Sequence, residues 1–342
     1  MMWKIDCILA VAGLMMPGLL PGADTPTAAL LVLSKSEQTL AIVDPGSHQV
    51  VARIPSGPDP HEVVASTDGR FAFISNYGGG RYNTISVIDL VGQKALPTVD
   101  LGALRGPHGL DFQGGMVWFT AEAAKVIGRY DPASQKIDLV LGTGQNRTHM
   151  IAVSPDLKWL VTSNVSSATM TFIEKKSVQA PGAGGPMNAP PQDWDETVVA
   201  VGRGAEGFDI SPDGKELWAA NAQDGTVSIL DVASKKVVQT LAADVTGANR
   251  LKFTPDGKLV FVSTLRGPDL TILDAATRRT VKRLKIGRGA AGIQMEPGGA
   301  RAYVACTPDD YVVIVDLQSM EVTGRLEAGK QPDGMAWAVR GR

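Results

Sequence analysis

Between residues 206 and 245 apolar and polar positions alternate in short bursts, each ended by turn-forming residues. Alternation with a period of two marks strands with one buried face. Residues 207–210 lead into Ser211-Pro212-Asp213-Gly214, where proline presets φ and glycine takes the positive-φ corner. Residues 216–221 run back, and Asp224-Gly225 reverses the chain tightly. Residues 226–231 alternate again, and 236–241 close the unit. The segment therefore predicts four short antiparallel strands.

The same unit recurs along the chain. Its copies start at His61, His108, His149, Glu206, Asn249, Ala291 and Asp333, spaced 41 to 57 residues apart. The first turn returns as Ser66-Thr67-Asp68-Gly69, Ser154-Pro155-Asp156, Thr254-Pro255-Asp256-Gly257 and Glu296-Pro297-Gly298-Gly299. The third strand ends in Ile88-Asp89, Tyr130-Asp131, Leu230-Asp231, Leu273-Asp274 and Val315-Asp316. A four-strand period in the low forties predicts an all-β propeller. The last copy holds one strand, residues 334–339, and the three it lacks lie at 29–34, 39–44 and 49–54. Closing the seventh blade with N-terminal strands removes the open edge an array would carry. Seven blades are expected, in one domain over residues 24–342. The largest interruption, residues 175–195, is rich in Pro, Gly and Ala and reads as a flexible insertion in blade three.

The second strands end in Phe73-Ile74-Ser75-Asn76, Val161-Thr162-Ser163-Asn164, Trp218-Ala219-Ala220-Asn221, Phe261-Val262-Ser263-Thr264 and Tyr303-Val304-Ala305-Cys306. This resembles the Tyr-Val-Thr-Asn signature of the YVTN-repeat β-propeller family over residues 29–342, with Thr264 and Cys306 departing from the Asn ending. The resemblance implies the fold, and for function only a broad range: surface-layer and periplasmic binding proteins. Blade two, with Gly106-Pro107-His108-Gly109-Leu110, Val117–Glu122 and Ile127-Gly128-Arg129, looks instead like repeats of streptogramin B lyases. That second likeness implies metal-assisted ring opening, and lactone-hydrolysing propellers are related at the level of fold.

Residues 1–23 differ from the remainder. Lys4 precedes an apolar run, and Pro21-Gly22-Ala23 supplies small residues before Asp24, as in a secretory signal peptide. The expectation is a periplasmic or secreted protein without a membrane span after cleavage, and a retained N-terminal anchor is the alternative. Two cysteines, Cys7 and Cys306, leave no disulfide framework. A net charge of −2 over 342 residues gives no bulk attraction to nucleic acid, which is not expected as a partner. A monomer is expected.

Three of the four histidines, His61, His108 and His149, open successive blades, and Glu206 opens the next. Equivalent positions should converge on the channel mouth. Three imidazoles and a carboxylate there suit zinc, copper, iron or manganese, a divalent transition metal with room for substrate. The plainer account is that polar residues line a wet channel and bond to neighbouring backbone or water. Loops on the same face bring Tyr77, Arg81, Glu122, Asn164, Asn221 and Arg266 to the blade openers Asn249 and Asp333, while Arg105, Arg147, Arg203, Arg250 and Arg288 flank blade starts. Guanidinium forks there suit a small anionic ligand or a protein partner, against which stands local pairing with Asp and Glu. In an enzyme, His108 or His149 would serve as base or ligand and Glu122 or Glu206 as ligand or acid. Three readings stand: a binding protein, a metal-assisted lyase or lactone hydrolase, and a structural surface-layer repeat.

Overall fold

The structure, a computed structural model, describes residues 23–177 and 192–341. The expected signal segment, apart from Ala23, lies outside the described residues. Seven four-stranded antiparallel sheets form a ring, so the chain is an all-β, seven-bladed propeller. Blade seven is composite: the C-terminal strand Pro332–Val339 is innermost and pairs with Ala28–Ser34, Leu31 facing Ala336. The four strands of blade four are Ala205–Ile210, Glu216–Asn221, Thr226–Asp231 and Lys236–Leu241. Gly214 turns with φ 73°, which L-residues with a Cβ adopt only at a cost. Among the described residues no helix is long and apolar enough to cross a membrane.

The core lies between blades. In each second strand one large side chain packs on the innermost strand of the following blade. Phe73, Trp118, Val161, Trp218, Phe261 and Tyr303 hold this place, all buried. Trp118 meets Ile151 and Val153 of blade three, and Tyr303 meets Met335 of blade seven. Each such side chain contributes roughly 1.5–3 kcal/mol through the apolar area it removes from water.

Two features bring the innermost strands close to the axis. Their pairing slips between the first residue and the fourth, as between Pro107 and Leu110 or Ala205 and Phe208. Such bulges re-aim side chains. Glycine then follows the blade-opening residue in four blades. A Cβ at Gly109 would lie 2.5 Å from the His149 carbonyl oxygen, and one at Gly334 would lie 2.4 Å from that of His61. Neither obstacle is a side chain that could swing away.

Blade three corrects one expectation. The ends of the insertion expected over 175–195 are paired strand, and residues 178–191 lie outside the described residues. The blade's third and fourth strands, Thr169–Ser177 and Gln192–Ala200, continue as a ladder with Lys175 opposite Trp194 and Ser177 opposite Gln192. Lys175 stacks its ammonium over the Trp194 ring, 5.1 Å from the centroid, and Lys176 pairs with Asp195. Trp194, Thr197 and Val198 favour strand, and the cross-strand pairs hold it once a partner is present.

Candidate functional site

Hydroxyl side chains one residue before the end of second strands hold the site together. Ser75 Oγ accepts the Glu62 N–H of its own blade at 3.1 Å and donates to the His108 carbonyl of the next at 2.8 Å. Thr120 accepts from Gly109 N–H at 2.9 Å and donates to the His149 carbonyl at 2.6 Å. Ser163 accepts from Met150 N–H and donates to the Glu206 carbonyl at 2.7 Å. Three consecutive clasps therefore fix the backbones that carry His108, His149 and Glu206.

The imidazoles do converge. Ring centroids of His61 and His108 are 4.4 Å apart, and those of His108 and His149 are 3.7 Å apart. The Tyr77 ring lies 4.9 Å from His108. His108 and His149 are 1% and 2% exposed, and among the described residues neither the Nδ1 of His108 nor the Nε2 of His149 has a well-aligned hydrogen-bond partner. Burial, together with the fields of His149 and His61, holds His108 well below the usual imidazole range, so it is neutral. Burial also pulls His61 down, more strongly than Asp333 raises it.

His149 behaves oppositely. Burial disfavours its charge, but Glu206 and Glu122 outweigh that and raise its pKa. Its Nδ1 bonds to Glu122, and Glu206 lies 3.0 Å from Nε2. Burial disfavours the carboxylate of Glu206, yet the His149 charge and bond hold it at about 2. Glu122 is lowered in the same way, against burial, by His149 and by the Tyr77 hydroxyl that donates to it. Burial and Glu122 push Tyr77 up, keeping it a proton donor. Arg147 stands 3.5 Å from Glu122 at the rim.

Two overlapping groups offer metal-ligating atoms: His61, Glu62 and His108, and His108, Glu122 and His149. Within each, the atoms lie within 4.8 Å of one another. Two ligands about 2.1 Å from one ion sit at most about 4.2 Å apart, so small side-chain rotations would close either group. The donor set fits a divalent transition metal: a buried neutral imidazole with a bare nitrogen beside ionised carboxylates.

Other expected site residues fall elsewhere. Asn164 and Asn221, proposed as ligand-binding, are fully buried and face into their own blades. Asn221 Nδ2 donates to the Thr226 and Ser228 hydroxyls, and Asn164 does the same to Thr169 and Thr171. A Cβ at Gly202 would fall 2.5 Å from the Asn221 amide, so the backbone there packs directly on this residue. Arg81 is exposed, and its Nε donates to Gly78 of its own loop. Arg203 and Arg288 pair with Asp224 and Asp309, the local pairing set against anion binding. Arg266 shares a rim depression of about 400 Å³ with Arg147 and Glu206. Asn249 is buried beside Arg250, and Asp333 lies 3.5 Å from His61.

Sequence reasoning missed Lys35, Asp59 and Glu62. Lys35 Nζ lies 2.6 Å from His61 Nδ1, 3.0 Å from Asp333 and 3.3 Å from Asp59. Glu62 pairs with Arg250. One signal was available for Glu62. The column after the blade-opening residues reads Glu62, Gly109, Met150, Gly207, Arg250, Gly292, Gly334. Two opposite charges among glycines point to a pair across the channel.

No family model matches this chain, and no curated protein matches it. Many solved structures share the fold. A functionally unknown protein of Desulfotomaculum acetoxidans superposes with a TM-score of 0.73 at 13% identity, over 90% of this chain and 98% of that one. A protein of Bacteroides fragilis described as a "putative 6-phosphogluconolactonase" gives 0.72 at 16%, over 92% and 99%. Kuenenia stuttgartiensis hydrazine synthase gives 0.65 at 19%, over 81% and 89%. At these identities the likeness is one of fold: the chain is a seven-bladed propeller.

Proposed function

We propose that the protein is an exported, YVTN-type propeller that binds a small anionic molecule at its channel mouth, beside a divalent transition metal held by His108 together with His61 and Glu62 on one side or His149 and Glu122 on the other. One observation carries this reading: three imidazoles from successive blades pack ring to ring, and the middle one is buried and neutral with an unpartnered nitrogen. Such a nitrogen is costly in a folded protein unless something takes it. Arg147 and Lys35 at the mouth and Arg250 within the channel are each paired with a carboxylate, which an incoming oxyanion would replace on the guanidinium fork or ammonium.

Elemental analysis of the purified protein tests the reading. It expects a transition metal near one per chain, lost in the His108→Ala/His149→Ala variant, whose fold is checked by circular dichroism. Metal-free protein that takes up no zinc on titration would sink it.

The Tyr77–Glu122–His149–Glu206 chain favours a second reading, a lactone hydrolase or lyase. Here His149 would give or take the proton, Glu122 would orient it, and arginine would stabilise developing oxyanion charge. A bound metal would supply Lewis-acid polarisation of a carbonyl. The fold-level likeness to the Bacteroides protein suggests sugar lactones as first substrates to try. Turnover that falls at least about a hundredfold in Glu122→Gln would establish it. Binding without turnover leaves the first.

A further inference from the structure

Below the imidazoles the channel is crossed by one ion pair. Glu62 belongs to the innermost strand of blade one, Pro60–Ala65, and Arg250 to that of blade five, Ala248–Phe253. The two blades are not neighbours: blades two to four separate them one way round, and six and seven the other. The pair reaches across because the level is otherwise nearly empty, with glycine at Gly109, Gly207, Gly292 and Gly334. Both side chains are largely buried, 13% and 7% exposed. Beneath them a cavity of about 430 Å³ continues along the axis, lined also by Asp111, Asp209, Lys252 and Gln294.

Arg250 is an anion receptor whose anion is supplied by the protein itself. Its guanidinium bonds otherwise to Asn249, through the backbone carbonyl and Oδ1, both at 3.3 Å. Glu62 meanwhile has a second destination, since its carboxylate lies within 4.8 Å of ligating nitrogens of His61 and His108. It stands between one guanidinium and a pair of imidazoles and can serve one side fully.

We propose that Arg250 is the ligand's anion-binding residue and that a carboxylate or phosphate of the ligand replaces Glu62 on it, freeing Glu62 to turn toward His61 and His108. This rests on the reading that the mouth takes an anionic molecule. The exchange keeps Arg250 compensated, and Glu62 is compensated in turn only when a cation stands at His61 and His108. A buried guanidinium without a partner is strongly unfavourable, so the incoming oxyanion must arrive as Glu62 departs. When a metal holds Glu62, the competitor for Arg250 is gone. Metal and anion therefore strengthen one another's binding by a shared factor.

Calorimetric titration of inorganic phosphate and of succinate into chelator-treated protein at fixed ionic strength tests this. Glu62→Gln removes the internal competitor and should bind one of the two probes roughly tenfold more tightly than the parent. Glu62→Gln/Arg250→Gln, with both charges gone, should bind neither. Zinc should tighten the parent toward the affinity of Glu62→Gln and leave that variant unchanged. Equal affinities of parent and Glu62→Gln, no binding by either, or retained binding in the double variant would each overturn the exchange. If Glu62→Gln does not fold alone, parent against double variant decides it. Failure to bind zinc sinks the metal reading while the zinc-free titrations stand. Intact zinc binding with failed anion titrations sinks only the role of Arg250.

Discussion

Asn221 ends the second strand of blade four with no exposed surface, its amide shared between two hydroxyls on the third strand. A residue type that binds ligands when exposed here ties two strands of one sheet together. Asn221→Ala leaves Thr226 and Ser228 short of a donor in a buried place, and is expected to cost about 1–3 kcal/mol. Chemical denaturation checks the loss, and anion affinity at the mouth should not move. Asp111 makes a second case. Burial pushes its carboxyl up to about 6, although Val153 N–H donates to it at 2.7 Å. The folded protein thus holds this proton more tightly than the unfolded chain. The stabilisation is full below about pH 4 and is lost as pH rises toward 6. Asparagine keeps the acceptor for Val153 without the charge. Asp111→Asn should match the parent near about pH 4 and exceed it by about 1–2 kcal/mol at about pH 7, discounted because the side chain partly faces channel water. Equal urea midpoints at both pH values would contradict this.

Strand by strand, the site depends on how innermost strands are hung on their neighbours. Thr120 receives Gly109 N–H and gives its proton to the His149 carbonyl, so one hydroxyl sets the distance between the blades of His108 and His149. Thr120→Val keeps the shape and removes both bonds. The expected cost is about 2–4 kcal/mol, from a stranded N–H and a stranded carbonyl. Zinc affinity should also fall roughly tenfold, as when a residue supporting metal ligands is lost. A variant that loses stability but binds zinc as before would show that the clasp does not position the rings. At this scale the sequence was readable where its signal was local. Turn tetrads, strand-ending Asp residues and the column His61, His108, His149 repeat in register, and each landed where the period put it. Asn164 and Asn221 were misplaced because a strand's last residue can face either the channel or its own sheet. Which one it takes depends on hydroxyls of the adjacent third strand. Lys35 and Glu62 stayed hidden for another reason. Their partners, Asp333 and Arg250, are joined to them only by closure of the ring.

For the molecule as a whole, closure is what creates the site. Asp333 comes from the last strand, Lys35 follows the first, and both meet at His61. The backbone ends of the ring also touch, with Arg340 N–H donating to the Thr27 carbonyl at 2.8 Å. Closure therefore needs the two terminal strands side by side, and does not need the chain to break where it does. A permutant that joins residue 341 to residue 23 through a short glycine-serine linker and opens at Gly144, between blades two and three, retains every ladder of the ring. It should unfold in one transition and bind zinc within a few-fold of the parent, since surface loops tolerate new ends. A chain cut after residue 331 keeps six complete blades but loses Pro332–Val339. It exposes the Ala28–Ser34 edge and removes Met335 and Ala336 from between blades. An uncovered strand edge of this kind pairs with other chains. The cut chain should aggregate and bind no zinc, while the permutant stays monomeric by light scattering. If both behave alike, blade stacking alone holds the ring, and the paired termini are incidental to the centre beside them.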